Sequence, residues 1–255
     1  MTTARDFAGK IAIVTGGAQG IGAAYARLLA ARGASVVVSD IQEAKAQAVA
    51  EEITRAGGQA LAVACDVGSP EACTDCASMA AERFGGIDYL VNNAGLLTAA
   101  LEKPLHQIEV ERYLRVFSVM AHGMLFMTQA VVASMRERGG GAIVNTSSIG
   151  AWQATGVYSL TKLAVNGLTV GLAKELRPYD IRVNAIAPGA VDTEGARGIM
   201  TREQLLGYQQ ASGGPGDRVA EAEDVARVGV FLLSDQARFV SGQILAVDQA
   251  TLTRL

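Results

Sequence analysis

The sequence predicts an α/β protein: a doubly wound, predominantly parallel, seven-stranded sheet with helices on both faces. Short β-branched runs alternate with longer segments of helical character along nearly the whole chain, a Gly-rich turn follows the first run, and an aspartate closes the second. That alternation builds parallel strand-helix-strand units, because parallel neighbours need a crossover and a helix supplies it. The first run, Ile11–Thr15, reads as a strand, and the Ala/Leu-rich segment 23–31 after the turn reads as a helix. Strand Ser35–Asp40, helix 43–56, strand 60–66, helix 71–84 and strand Tyr89–Asn92 continue the rhythm. The second half repeats it with a long helix 110–138, strand 142–146, helix 158–176, strand 182–187, helix Ala222–Leu233 and strand 243–247.

No linker, repeat or low-complexity tract interrupts this order, so residues 1–255 form one domain; only 139–141 resembles a flexible turn. Residues 190–220 depart from the rhythm. They hold Asp192, Thr193, a short helix near 201–210 and then Ser-Gly-Gly-Pro-Gly, whose residues 213–216 could hinge. A segment of this length between core elements reads as a substrate lid, with an ordered surface excursion as the alternative.

With 50% apolar and 18% charged residues, the chain can fill a sizeable core. A net charge of -3 offers no field for nucleic acid or an anionic membrane. No run of about 18 apolar residues suggests a membrane span, and the first residues lack a secretory signal, so a cytoplasmic location is expected by default. Cys65, Cys73 and Cys76 are the only cysteines; Cys73-x-x-Cys76 falls in a helical run with no second pair to complete a zinc tetrahedron. They read as ordinary thiols, His106 and His122 lack partners at ligand spacing, and no metal is expected.

The cofactor half is legible in residue types. Gly16, Gly20 and Gly22 let the backbone turn and approach a pyrophosphate at a helix N-terminus. Asp40, eighteen residues after Gly22, can accept hydrogen bonds from ribose hydroxyls and would repel a 2′-phosphate. The next position, Ile41, carries no base. NAD(H) is therefore the expected cofactor. Ligands to parallel sheets bind at the carboxyl ends of strands. There Asp66 and Val67 could border the adenine, and Ala94 and Gly95 could approach the ribose. Asn92 is expected beside them, bracing loops more than reaching the cofactor deeply.

The chemical half rests on Tyr158 and Lys162, four residues apart and so on one helix face, with Ser148 ten residues before the tyrosine. A phenol begins near pKa ~10, and each unit removed is worth about 1.4 kcal/mol, so a neighbouring ammonium would bring it toward neutrality. Tyr158 is the expected acid/base, and Ser148 the group that holds the substrate oxygen. A packed helix tyrosine and a loop-capping serine are the bland alternatives.

On Thr-Gly-Gly-Ala-Gln-Gly-Ile-Gly at 15–22, Asn92 to Gly95, Ser148, Tyr158, Lys162, Pro188-Gly189 and Thr193, the chain resembles the short-chain dehydrogenase/reductase family over nearly its whole length. The resemblance implies a Rossmann-like fold and transfer of hydride between nicotinamide and a secondary alcohol or ketone. It further implies that Ile21 meets the pyrophosphate region and that Lys162 also holds the nicotinamide ribose. Pro188, Gly189, Val191 and Thr193 would border the nicotinamide amide and phosphates. The family's habit implies a homotetramer or a homodimer.

Two departures stand out. Met120 occupies the place where the family has an asparagine that holds a water in a proton relay to the lysine. A methionine cannot donate that bond; it either fills a helix interface or slows proton exchange. The Ser148 to Tyr158 separation is about three residues shorter than the commonest family spacing, on that same resemblance. Trp152, with Leu96, Leu97 and Met200, could form an apolar wall favouring an uncharged, cyclic or aryl, secondary alcohol or its ketone. A packed or interfacial Trp152 fits as well. A 3-oxoacyl thioester reductase, with Arg136, Arg138 and Arg177 gathered by folding, and a slowly catalytic NAD-binding scaffold are the alternatives.

Overall fold

In the computed structural model, which describes residues 6–98, 103–153, 155–211 and 218–252, seven parallel strands form the expected sheet. The strands are β1 (Ile11–Thr15), β2 (Ser35–Asp40), β3 (Gln59–Ala64), β4 (Tyr89–Asn92), β5 (Gly141–Thr146), β6 (Ile181–Pro188) and a last strand, β9 (Ile244–Val247). Their order is β3-β2-β1-β4-β5-β6-β9, so the chain reverses direction of growth between β1 and β4. Register is in phase across the centre, Ile13 pairing with Val37 and Leu90, and Val144 with Asn184. The inner strands β1 and β2 are buried on both faces, as β-branched runs without alternation require.

Helices α1 (Gly20–Ala31), α2 (Glu43–Arg55) and α9 (Ala222–Leu233) bury their apolar sides with Val14, Val36, Val38 and Val144 in one core. Helices α3 (Pro70–Phe84), α4 (Val110–Phe117), α5 (Gly123–Glu137) and α6 (Gly156–Leu176) lie over the other face, around Ile13, Val37, Leu90 and Ile143. Ser69 starts α3 by accepting from the Ala72 N–H at 3.2 Å, with Pro70 in the first turn, where a missing N–H costs nothing.

Several boundaries move. Helix α1 begins at Gly20, inside the turn, where the glycine's φ of +52 swings the chain out of the turn and into the helix. Strand β3 ends at Ala64, two residues before Asp66, because the Asp66 carboxylate accepts from the Gly68 N–H at 2.9 Å and turns the chain out of the sheet. The long helix runs Val110–Glu137 as expected and carries one π turn, Ser118–His122, between α4 and α5. By length and composition Val110–Glu137 could cross a membrane. The expectation that no segment could do so is thus too strong. Half of its most apolar stretch is nonetheless buried, with Val116, Met127, Val131 and Met135 in the core.

Residues 190–220 are tied at their base by a short parallel ladder of β7 (Val191–Asp192) and β8 (Ala220–Glu221). Between them stand α7 (Glu194–Arg197) and α8 (Arg202–Ala211). The hinge expected at 213–216 lies outside the described residues.

Candidate active site

The carboxyl ends of the strands open into a cleft of about 710 Å³ that runs from Asp40 to Tyr158. At one end the Asp40 carboxylate is held by the N–H groups of Ala18 at 3.1 Å and Gln42 at 2.9 Å, and it lines the cleft with Ile41. A carboxylate has about four acceptor sites, so two remain for a ligand's hydroxyls. Gly16, Gly20 and Ile21 form the adjoining wall. A Cβ on Gly16 would come within 2.8 Å of the Ala94 backbone, and one on Gly22 within 2.0 Å of the Gly16 carbonyl, so both positions demand close backbone approach. Gly22 tightens the turn from behind without reaching the cleft surface.

Asp66, Val67, Ala94 and Gly95 line the middle of the cleft. Asp66 is paired with Arg115 at 2.9 Å. Burial pulls its carboxyl upward, but the Gly68 N–H and Arg115 outweigh that and hold it below the usual carboxylate range. Arg115 sits on the cleft wall and was not foreseen, since a lone helix arginine carries no signal in sequence.

Asn92 stands behind the cleft rather than on its wall, in keeping with a bracing role: it is buried at 1% exposure, its amide donating to the Met124 carbonyl at 3.2 Å and to Asn145 Oδ1 at 3.0 Å. Asn145 donates on to Thr169 at 2.9 Å, making a buried polar brace between sheet and helices. The neighbour, Asn93, is the cleft residue; its amide donates to the carbonyls of Thr15 and Gly16 at 3.2 and 3.1 Å. Alternating strand faces explain the exchange, because adjacent side chains of Asn-Asn point to opposite sides.

At the other end Ser148, Tyr158 and Lys162 converge. The Ser148 hydroxyl faces the Tyr158 phenol and accepts from the Gly150 N–H at 3.1 Å, capping the 3₁₀ turn Ile149–Trp152. The capping role and the cleft position are therefore one geometry. Ser147 turns away, donating to Asn166 Oδ1 at 2.6 Å. Lys162, 4% exposed, donates from Nζ to the Thr146 carbonyl at 2.7 Å and lies 5.8 Å from the Tyr158 ring centre.

The expected lowering of the phenol is not found in the protein alone. Burial dominates and pushes Tyr158 above the ordinary phenol value; the Ser148 hydroxyl opposes this and Tyr208 adds to it. Lys162 is itself drawn down to about 8 by burial, which weakens its positive influence.

Pro188, Gly189, Val191 and Thr193 line the cleft beside this group, and Thr193 Oγ1 caps α7 by accepting from the Ala196 N–H at 3.1 Å. Leu96, Leu97 and Met200 form apolar wall. Trp152 does not: half-buried in the 3₁₀ turn, it leaves Gln153 and Thr155 to face the cleft. Tyr208 of α8, unforeseen, lies across from them, its hydroxyl 3.4 Å from the Gln153 amide.

Met120 is buried in the π turn and touches the cleft, its sulfur 3.9 Å from the Thr161 hydroxyl, whose proton goes to the Tyr158 carbonyl at 2.7 Å. His122 is exposed between Phe117 and Phe126 and does not replace it. Arg136 stacks on Tyr179 and Arg138 pairs with Asp88, near the amino ends of the strands and away from the cleft. Among the described residues no group of three or more His, Cys, Asp or Glu could hold a metal.

The family model described as enoyl-(acyl carrier protein) reductase matches residues 16–249. An uncharacterized oxidoreductase of Mycobacterium tuberculosis is 45% identical over 248 residues, covering 97% of this chain and 99% of the relative. The cis-4-hydroxycyclohexanecarboxylate dehydrogenase of Sinomonas cyclohexanicum is 42% identical over 245 residues, covering 95% of this chain and 96% of the relative. Among solved structures, a 7 alpha-hydroxysteroid dehydrogenase complexed with NADH and 7-oxo glycochenodeoxycholic acid superposes with a TM-score of 0.90 at 34% identity, covering 100% of this chain and 99% of that one. A short chain dehydrogenase of Burkholderia cenocepacia in complex with NADP superposes at 0.87 and 32% identity, covering 96% and 99%.

Proposed function

Because the chain belongs to the short-chain dehydrogenase/reductase family and is an oxidoreductase of CH-OH groups, we propose that it is an NAD-dependent dehydrogenase of uncharged alicyclic or aryl secondary alcohols. The observation that carries this is the single cleft joining the Asp40 carboxylate to the Ser148-Tyr158 pair. A dinucleotide fits the residues present: the glycine turn leaves the backbone bare, and Asp40 keeps free acceptor positions beside Ile41, which offers no cation for a 2′-phosphate. When bound, the nicotinamide supplies the hydride acceptor for oxidation and the donor for reduction.

The remaining work falls to the chain's own residues. Ser148 donates to or accepts from the substrate oxygen while holding the Tyr158 phenol beside it. Tyr158, protonated at neutrality because burial raises it, gives its proton to the oxygen formed on reduction, and only after losing that proton, as the phenolate, takes one from the alcohol on oxidation. Lys162, fixed by the Thr146 carbonyl, orients the cofactor ribose and returns protons toward the phenol. Leu96, Leu97 and Met200 exclude water from the reacting carbon.

At the substrate end the described lining is apolar or neutral, with Gln153, Thr155 and Tyr208 as its polar groups and no cation besides Lys162. That supports an uncharged substrate in the cleft. Helix α8 carries Leu205 and Tyr208 to the cleft, which supports a lid reading for 190–220. Three free thiols suit the reducing cytoplasm. Large apolar side chains left exposed on α4 and α6 and near β9, namely Leu114, Leu163, Phe239 and Leu245, support a homotetramer.

The test is an NAD-linked activity screen of cyclic and aryl secondary alcohols, hydroxysteroids, sugars and 3-hydroxyacyl thioesters. Turnover of the first two classes is expected. Turnover confined to sugars or to thioesters would overturn the substrate assignment, and NADH binding without turnover of any class would overturn the enzymatic one.

A further inference from the structure

The fold gathers all three cysteines of the chain into one cluster beside the cofactor cleft. Cys65, just beyond β3, is buried in one core cluster with Cys73 and Cys76, which share one face of α3. Cys65 Sγ lies 3.4 Å from the Ala72 carbonyl and Cys73 Sγ 3.5 Å from the Val67 carbonyl, so the sulfurs are packed between the strand end and the first turns of the helix. Of the three, only Cys65 lines the cleft. Its backbone N–H donates to the Asp40 carbonyl at 3.1 Å, and Asp66 follows it directly. The two neighbouring thiols, acting as donors, hold Cys65 below the ordinary thiol value and are themselves pushed above it. A thiol reached through a cleft, with two further thiols packed behind it, is the arrangement in which peroxide oxidation and capture by a resolving cysteine occur.

We propose that Cys65, with Cys73 or Cys76 as its resolving partner, is a hydroperoxide-oxidised site whose disulfide impairs the adenosine end of the cleft. Cys65 sulfur attacks the O–O bond of a hydroperoxide: the S–O bond forms, the O–O bond breaks, and the departing oxygen leaves as alcohol or water with the Cys65 proton. The second sulfur then attacks the sulfenic sulfur; the S–S bond forms, the S–O bond breaks, and hydroxide leaves as water with the second thiol's proton. Two thiols are oxidised by two electrons and one peroxide is reduced. The new bond draws Cys65 toward α3, displacing the strand end that holds Asp40 and Asp66.

The effect on NADH rests on the proposed cofactor site, whereas the disulfide itself does not. Reduced protein is treated with hydrogen peroxide and cleaved at Glu71 and Asp75, which lie between the three cysteines, before mass mapping. A bond from Cys65 to Cys73 or Cys76 is expected. It should be absent in Cys65→Ser, slowed by saturating NADH, and accompanied by a reversible loss of NADH affinity of about tenfold or more, restored by dithiothreitol. Thiols that stay reduced, oxidation that stops at sulfenic or sulfinic acid, or a disulfide that leaves NADH affinity unchanged would overturn the proposal. Failure of the reduced protein to bind NADH would instead sink the cofactor reading, and the thiol site would then stand or fall on the mapped bond.

Discussion

Lys162 hydrogen-bonds the Thr146 carbonyl at 2.7 Å, so the ammonium is anchored to the last residue of β5, on the strand that leads directly into Ser148. Helix α6 therefore presents Tyr158 and Lys162 at a height set by the sheet, and the serine and the lysine share one strand end as their reference. The predictions below follow from that anchoring and from the groups around it.

Tyr158→Phe removes the proton donor while keeping the ring that packs beside Ser148. Turnover should fall by about 10² to 10⁴, the usual contribution of general acid/base catalysis, with NADH affinity changed little. Steady-state kinetics with fluorescence titration of NADH checks both. Wild-type turnover in this variant would remove Tyr158 from the mechanism.

Asp40→Ala should narrow the preference for NAD over NADP, because it removes both the ribose acceptor and the charge that repels a 2′-phosphate. It also frees the Ala18 and Gln42 N–H groups, which the carboxylate now satisfies, so a modest loss of stability should accompany it. Competition binding of the two cofactors to wild type and variant is the measurement. Equal affinity for both in the wild type would contradict the assignment.

Lys162 gives a stability signature. Its value in the folded chain, about 8, lies below the ordinary lysine value because burial disfavours the ammonium. Below pH 8 both states carry the charge and the folded state bears the cost of burying it. As the pH rises from 8 toward ~10.4 the folded chain loses the proton first, the unfolded chain binds more protons, and this contribution to stability rises. Lys162→Met should therefore gain most over wild type at neutral pH, and the difference should shrink by pH 10. Paired denaturant titrations across that range would detect it; a pH-independent difference would mean that the ammonium is not buried as described.

Met120 sits in the π turn with only the Thr161 hydroxyl at its sulfur. An amide placed there would lose apolar packing and cost roughly 1 to 3 kcal/mol if left unpaired. If instead the methionine interrupts a proton path to Lys162, Met120→Asn should raise turnover and reduce a solvent deuterium effect with NAD affinity unchanged. Thermal destabilisation with unchanged turnover and isotope effect would assign the residue to packing alone.

Much of this protein is determined by its sequence read one segment at a time. The seven strands, their helical crossovers, the glycine turn and the Tyr158/Lys162 helix face all follow from local periodicity and spacing, because strand and helix geometry repeat over a few residues. Strand ends and turns that declare themselves along the chain, as at Gly16, Asp40, Gly95 and Pro188, line the cleft.

Only the tertiary structure decided which member of a pair faces the cleft and which distant residues meet there. Strand direction turned Asn92 inward and Asn93 outward, and after Ser148 it is Gln153 rather than Trp152 that stands on the wall. Packing of α3 against β3 joined Cys65 to a Cys-x-x-Cys pair that looks inert along the chain. Burial raised the Tyr158 phenol where spacing alone predicted a lowered one. These outcomes depend on desolvation and on contacts between residues far apart in sequence, and neither is encoded in local spacing.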